Sequence, residues 1–186
     1  MIIDLTVSNF LSIKDKQTVS LFAERNLDKH IDNIAYLGTN YGTLKTCAVM
    51  GANASGKTNL LFAFKALGYL ITKTNRIDEK DKIKCYDPFL LSKETKNAPT
   101  SMELEFWLSN KRYKYSVNYD SKNIYKESLY FYPNLKPAKI FDRINEKNWK
   151  EGEGITFGTY LKGGKKQFAY FPNNSYLSIA GSSPEA

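Results

Sequence analysis

The amino-acid sequence predicts an α/β protein in which a buried strand runs through a glycine loop into an amphipathic helix, followed by an antiparallel β-meander. Three observations carry this. The run Cys47-Ala48-Val49-Met50 is wholly apolar and is followed at once by a glycine-bounded segment, residues 51–58. From Lys57 onward, Leu60, Phe64, Leu67 and Ile71 recur at helical spacing with Leu61 and Leu70 beside them. Past residue 100 the apolar pattern alternates instead, with Met102, Leu104, Phe106 and Leu108 on one face of one segment and Tyr113, Tyr115, Val117 and Tyr119 on one face of the next.

In chain order, residues 2–7 alternate enough for a strand, Asn9-Phe10-Leu11-Ser12 turns, and residues 18–22 read as a second strand, so a short β-ribbon opens the chain. A polar stretch, 24–33, separates it from the 47–50 run. That run is expected to be a strand buried on both faces, because a half-exposed strand would alternate. The helix should extend about four turns. A charged linker, 73–84, leads to Asp87-Pro88-Phe89, where proline disfavours continued helix. The hairpin turning at Ser109-Asn110-Lys111 is extended by strands at 125–131 and 139–143, with loops at 120–123 and 133–137. On this reading residues 1–186 form one unit. Its parts are the ribbon, strand and helix (1–72), a linker (73–99), an antiparallel β subdomain (100–172) and a truncated tail (173–186).

Composition narrows the classes. The chain of 186 residues, 42% apolar and 25% charged, can bury one sizeable core and is neither disordered nor fibrous in character. No stretch approaches bilayer length, and Met1-Ile2-Ile3-Asp4 lacks the basic and apolar parts of a leader, so the expectation is a cytoplasmic protein without a membrane partner. Cys47 and Cys85 have no second Cys or His at metal-ligand spacing and read as reduced structural residues; His30 has no visible partner and receives no role.

The net charge of +8 suits a phosphate-rich partner, nucleic acid among them. Scattered lysines alternating with acids, as in Asp78-Glu79-Lys80-Asp81-Lys82, fit a solvated surface better than a nucleic-acid site. The interleaved segment Lys111-Arg112-Tyr113-Lys114-Tyr115 has the makings of a stacking platform for single-stranded nucleic acid. Against that stands the plainer reading of an aromatic stripe as core, since aromatic rings pack well on a pleated surface.

The most specific signal is Gly51-Ala52-Asn53-Ala54-Ser55-Gly56-Lys57-Thr58, which fits G-x-x-x-x-G-K-[ST]. Gly51 and Gly56 permit backbone angles that wrap a loop round a phosphate. Successive N–H groups from Asn53 to Thr58 are expected to point inward as an anion nest, helped by the positive end of the following helix. Lys57 should reach the β- and γ-phosphates of ATP, or of GTP, and the Thr58 hydroxyl should ligate Mg²⁺. No second motif fixes the base.

Val7-Ser8-Asn9-Phe10 followed by Ser12, and then residues 51–58 continuing into Asn59-Leu60-Leu61, resemble the start of an ATPase of the SMC, RecF and ABC type. Asn59 after the loop hydroxyl is similar to the RecF, SMC and OLD-like proteins, whereas Ala54 departs from the glycine usual in SMC and RecF. Together with Asp87-Pro88-Phe89-Leu90-Leu91 and Glu127-Ser128-Leu129-Tyr130, the loop looks most like the OLD-related AAA-type ATPases of abortive-infection and anti-phage systems. This resemblance implies half of a P-loop NTPase head of ABC/SMC type with an antiparallel β-meander subdomain, and residues 51–59 as the nucleotide site. It also implies ATP held between two subunits, as in a homodimer, and an effector nuclease or toxin as partner. A Walker B strand ending in Asp-Glu is missing, because the one such pair, Asp78-Glu79, follows polar residues. The family's signature has one distant echo in Leu161-Lys162-Gly163-Gly164 with Gln167 displaced. Catalytic residues are therefore unassigned, and the chain is expected to be an N-terminal fragment or truncated product that binds ATP but barely hydrolyses it alone.

Overall fold

The computed structural model describes residues 1–23, 31–37, 41–145, 154–161 and 168–183. Its main feature is a seven-stranded antiparallel sheet made of β1 (Ile2–Ser8), β2 (Gln17–Ser20), β6 (Thr100–Leu108), β7 (Lys111–Tyr119), β8 (Ile124–Tyr132), β9 (Ala138–Ile144) and β10 (Ile155–Phe157), in the order β10-β9-β8-β7-β6-β1-β2. A smaller sheet sets β3 (Phe22–Ala23) beside β5 (Tyr41–Leu44), which pairs with β4 (Ile34–Leu37). With two α-helices among the described residues, α1 (Lys57–Lys73) and α2 (Tyr176–Ala180), the domain is α/β with a mostly antiparallel sheet.

The expected ribbon and meander form, and they are continuous. β1 pairs with β2 on one side and β6 on the other, Leu5 opposite Leu104 and Val7 opposite Met102. Alternation along β1 puts Ile3, Leu5 and Val7 inside. The hairpin between β6 and β7 closes on Ser109-Asn110, both left-handed at φ 48° and 61°, the backbone that a two-residue turn between twisted strands requires. Helix α1 lies over one face of this sheet. Its Ala63, Ala66, Leu67 and Leu70 join Leu5, Val7, Phe10, Met102, Tyr115, Val117 and Tyr119 in one core. The other face carries an ion-pair row in which Glu103 receives Lys16 and Lys114, and Glu105 pairs with Arg112. Partial burial raises the Glu103 carboxyl, but the hydrogen bonds from Lys114 and Lys16 outweigh it and leave the group below its ordinary value.

One expectation is overturned. Residues 46–50 form no strand; they are irregular, with Val49 51% and Met50 89% exposed. A strand buried on both faces needs hydrogen-bonded neighbours and a cover on each side, and among the described residues no strand pairs with this run. The second predicted strand, 18–22, is divided between β2 and β3, with Leu21 between them donating its N–H to the Ile3 carbonyl. Strands β4 and β5 are additions to the expected elements, as is the regular packing of residues 173–183.

That C-terminal order depends on Glu127, which is fully buried on β8. Its carboxylate accepts from Tyr115 Oη at 3.1 Å, Ser175 Oγ at 2.7 Å, Tyr176 N at 2.7 Å and Leu177 N at 3.2 Å, and faces Arg143 Nη1 at 3.4 Å. Burial and the adjacent carboxylate push the Tyr115 hydroxyl well above its ordinary range, so it stays a donor. Arg143, equally buried, also donates to the Asn174 and Pro172 carbonyls and lies over the Tyr170 ring. From the same segment, Asn174 Nδ2 donates to Thr74 O and Ser175 N to Thr74 Oγ1, which fastens the C-terminal end of α1.

Arg143→Met removes the cation while leaving Glu127 buried, a loss worth about 3–5 kcal/mol for such pairs. Urea unfolding followed by circular dichroism should show a drop of that order; a loss below about 1 kcal/mol would show that the two hydroxyls and two backbone amides satisfy Glu127 without the cation.

Candidate phosphate-binding site

Residues 51–56 form an exposed loop that leads directly into α1. Ala54 (φ 62°) and Gly56 (φ 90°) both take left-handed backbone angles, so the chain doubles back before the helix starts. At Gly56 an added Cβ would lie 2.8 Å from Ser12 Oγ, and at Gly51 it would lie 3.0 Å from Ser55 Oγ, so both glycines sit where the loop is closely approached. Ser55 N donates to Ala52 O at 3.3 Å and Asn59 N to Gly56 O at 3.0 Å.

The start of α1 is uncapped by any side chain, and its first turn holds no acid. Among the described hydrogen bonds the amides of Asn53, Ala54, Gly56, Lys57 and Thr58 donate to no protein acceptor. Backbone donors left over at a helix N-terminus are normally met by a side-chain cap, by water or by an anion. The Lys57 ammonium folds back over the loop, donating to Gly51 O at 2.8 Å and Ala52 O at 2.6 Å, with Ser55 Oγ at 3.4 Å. It thus holds the loop closed on itself with positive charge at the mouth. Thr58 is exposed one residue into the helix. Asn59, named in the sequence as part of the site, directs its carboxamide toward the N-terminal turn, donating to Ser12 Oγ at 2.7 Å.

Beside the loop is a cleft of about 230 Å³, with Leu5, Val7, Val49 and Met50 on its apolar side and Ser55, Gly56 and Lys57 on its polar side. A larger cleft, about 700 Å³, lies at the 133–139 loop against Tyr160. Its polar side chains are Asn134, Lys136, Lys139, Thr159 and Tyr160, with no acid among them, and it lies on a different part of the chain from residues 51–58. No group of three or more His, Cys, Asp or Glu residues suited to a metal occurs among the described residues.

Other sequence candidates resolve into structural positions. The rings of Tyr115 and Tyr119 are buried in the core, while Phe106, Tyr113 and Phe131 pack on one another. Cys47 is exposed; Cys85 is half-buried and its thiol is pushed up to about 12, chiefly by burial, which keeps it protonated. Asp78 and Glu79 are exposed in a turn. Glu103, Glu105 and Glu127 each have a cationic partner. His30 and residues 162–167, which include most of the signature echo, lie outside the described residues. Sequence reasoning missed Ser12 as a neighbour of the loop; its two-residue distance from Asn9-Phe10 was visible, its contact was not.

Fold and loop together define an α/β domain with an anion-receptive helix start. A family profile described as "AAA domain, putative AbiEii toxin, Type IV TA system" matches residues 47–185, well over half of the chain. The chain belongs to this AAA-domain family, whose class is nucleotide-binding and ATPase-like. A search among curated proteins found no match. Among the described residues no helix is long and apolar enough to cross a membrane.

Proposed function

We propose that this chain binds the triphosphate of ATP, with GTP as the alternative, at residues 51–59, and that it is the nucleotide-binding head of an SMC/RecF/OLD-like ATPase acting in phage defence. The observation that supports this most is the uncapped start of α1, whose free amides converge with the Lys57 ammonium at one exposed loop. Phosphate oxygens would accept from the amides of Asn53 to Thr58. Lys57 has three donors and can keep a loop carbonyl while turning the donor near Ser55 toward the β- and γ-phosphates. Thr58 is the side chain of this site that fits a hard cation, through its exposed hydroxyl. When bound, Mg²⁺ supplies charge that offsets the β- and γ-oxygens.

Association of two heads around ATP is part of the proposal, as is an effector nuclease or toxin. Support comes from the family resemblance and from apolar surface flanking the loop, where Met50 is 89% and Leu61 60% exposed. Hydrolysis requires a group that positions water and a carboxylate near the metal. The acids named above are paired or lie in an exposed turn, so we propose that this chain alone turns over ATP poorly.

Titration calorimetry should show Mg²⁺-dependent ATP binding that Lys57→Ala reduces at least tenfold, with both proteins folded by circular dichroism. Equal binding by the two would remove the loop from the site. Thr58→Ala should lose more affinity with Mg²⁺ than in EDTA, because only a metal-directed hydroxyl is removed; equal losses would make Thr58 a structural residue. In steady-state phosphate release, purified chain should match Lys57→Ala within error, and robust Lys57-dependent turnover would overturn the idea that the catalytic carboxylate lies elsewhere.

A further inference from the structure

Ser12 belongs to a turn that is expensive to form and is nonetheless tightly fixed. Phe10 and Ile13 exchange N–H to O bonds at 2.9 and 2.8 Å, which leaves Leu11 and Ser12 at the corners. Leu11 sits at φ 49° and Asn9 at φ 52°, and a bulky side chain such as Leu11 in left-handed backbone costs on the order of 1 kcal/mol or more unless its surroundings impose it. The surroundings here are residues 87–100. Asn9, 5% exposed, donates through Nδ2 to Thr95 O at 2.9 Å and Ala98 O at 2.8 Å, and accepts Phe89 N on Oδ1 at 2.9 Å. Thr100 Oγ1 donates to the Asn9 carbonyl at 2.7 Å, and Leu11 N donates to Asp87 O at 2.7 Å.

What this anchoring holds in place is one exposed hydroxyl. Ser12 Oγ receives Asn59 Nδ2 at 2.7 Å and abuts the Cα of Gly56, close enough that a Cβ there would come within 2.8 Å. These two residues bracket Lys57 and Thr58. Ser12 itself is outside the core, so its hydroxyl contributes little to packing.

We infer that Ser12 is a positioning residue for the phosphate loop: through Asn59 and Gly56 it fixes the backbone that presents the Lys57 and Thr58 amides. This rests on the nucleotide-binding reading above. The turn acts as a brace, immobilised from behind by Asn9 and pressing on the loop from the side, so that the amides are already aimed before an anion arrives. Preorganisation of that kind raises affinity by lowering the ordering cost of binding.

The test combines two readouts on the parent chain, Ser12→Ala, Ser12→Thr, Asn59→Ala and the double variant Ser12→Ala/Asn59→Ala. In nucleotide-free protein, ¹⁵N relaxation should show the Gly56 and Asn59 amides becoming more mobile in Ser12→Ala, returning to parent values in Ser12→Thr, with the melting temperature and the sheet amides unchanged. In calorimetry with MgATP, Ser12→Ala should bind about three- to tenfold more weakly, the effect of one net hydrogen bond, and the double variant should be no weaker than the poorer single one. Parent-like loop mobility in Ser12→Ala overturns the inference, as does parent-like ATP affinity or additive losses in the double variant. If the parent chain binds no ATP, the nucleotide reading fails on that control, while the relaxation data still decide whether Ser12 fixes the loop.

Discussion

A carboxylate taken out of water must be matched group for group, and Glu127 is matched by Arg143, Tyr115, Ser175 and two backbone amides drawn from three separate pieces of chain. That requirement organises the far end of the molecule. It draws residues 172–178 onto β8 and β9, and the same segment then grips Thr74 at the end of α1. A buried ion pair is weak evidence for stability as such, because desolvation offsets much of its attraction; what the contacts show is that every donor to Glu127 has a fixed place.

The helix so held is fastened at its other end by different means. Its N-terminus meets no cap and no acid, and instead abuts a strained turn that Asn9 locks to residues 87–100. Between these two fixtures the buried stripe Ala63, Ala66, Leu67 and Leu70 seats the helix on the sheet. Contacts at both ends and along one face therefore position the helix, while its first two amides, those of Lys57 and Thr58, are left without a protein acceptor among the described hydrogen bonds.

Much of the architecture follows from local signals. Alternation in β1, β6 and β7 and the 3.6-residue stripe of α1 are properties of short segments, so they survive in any context that supplies one apolar and one polar side. The run at 47–50 fails for the converse reason. Its apolar composition asks for cover on both faces, and whether cover exists depends on strands elsewhere, which pattern alone does not count. Glu127 is a different case: the alternation of 125–131 sets it on the same face as Leu129 and Phe131, but what makes a carboxylate tolerable there is a set of partners 12 to 50 residues away along the chain, which no local pattern supplies.

The sequence by itself determined the glycine loop, the helix behind it and the meander, because glycine spacing and apolar periodicity are short-range constraints on backbone and side chain. The tertiary structure alone decided that the opening ribbon and the meander would be one sheet, that residues 168–183 would close on Glu127, and that Ser12 would rest against Gly56 and Asn59. Those are contacts between residues tens of positions apart, fixed by register, burial and the saturation of buried polar groups, quantities that exist only once the chain is packed.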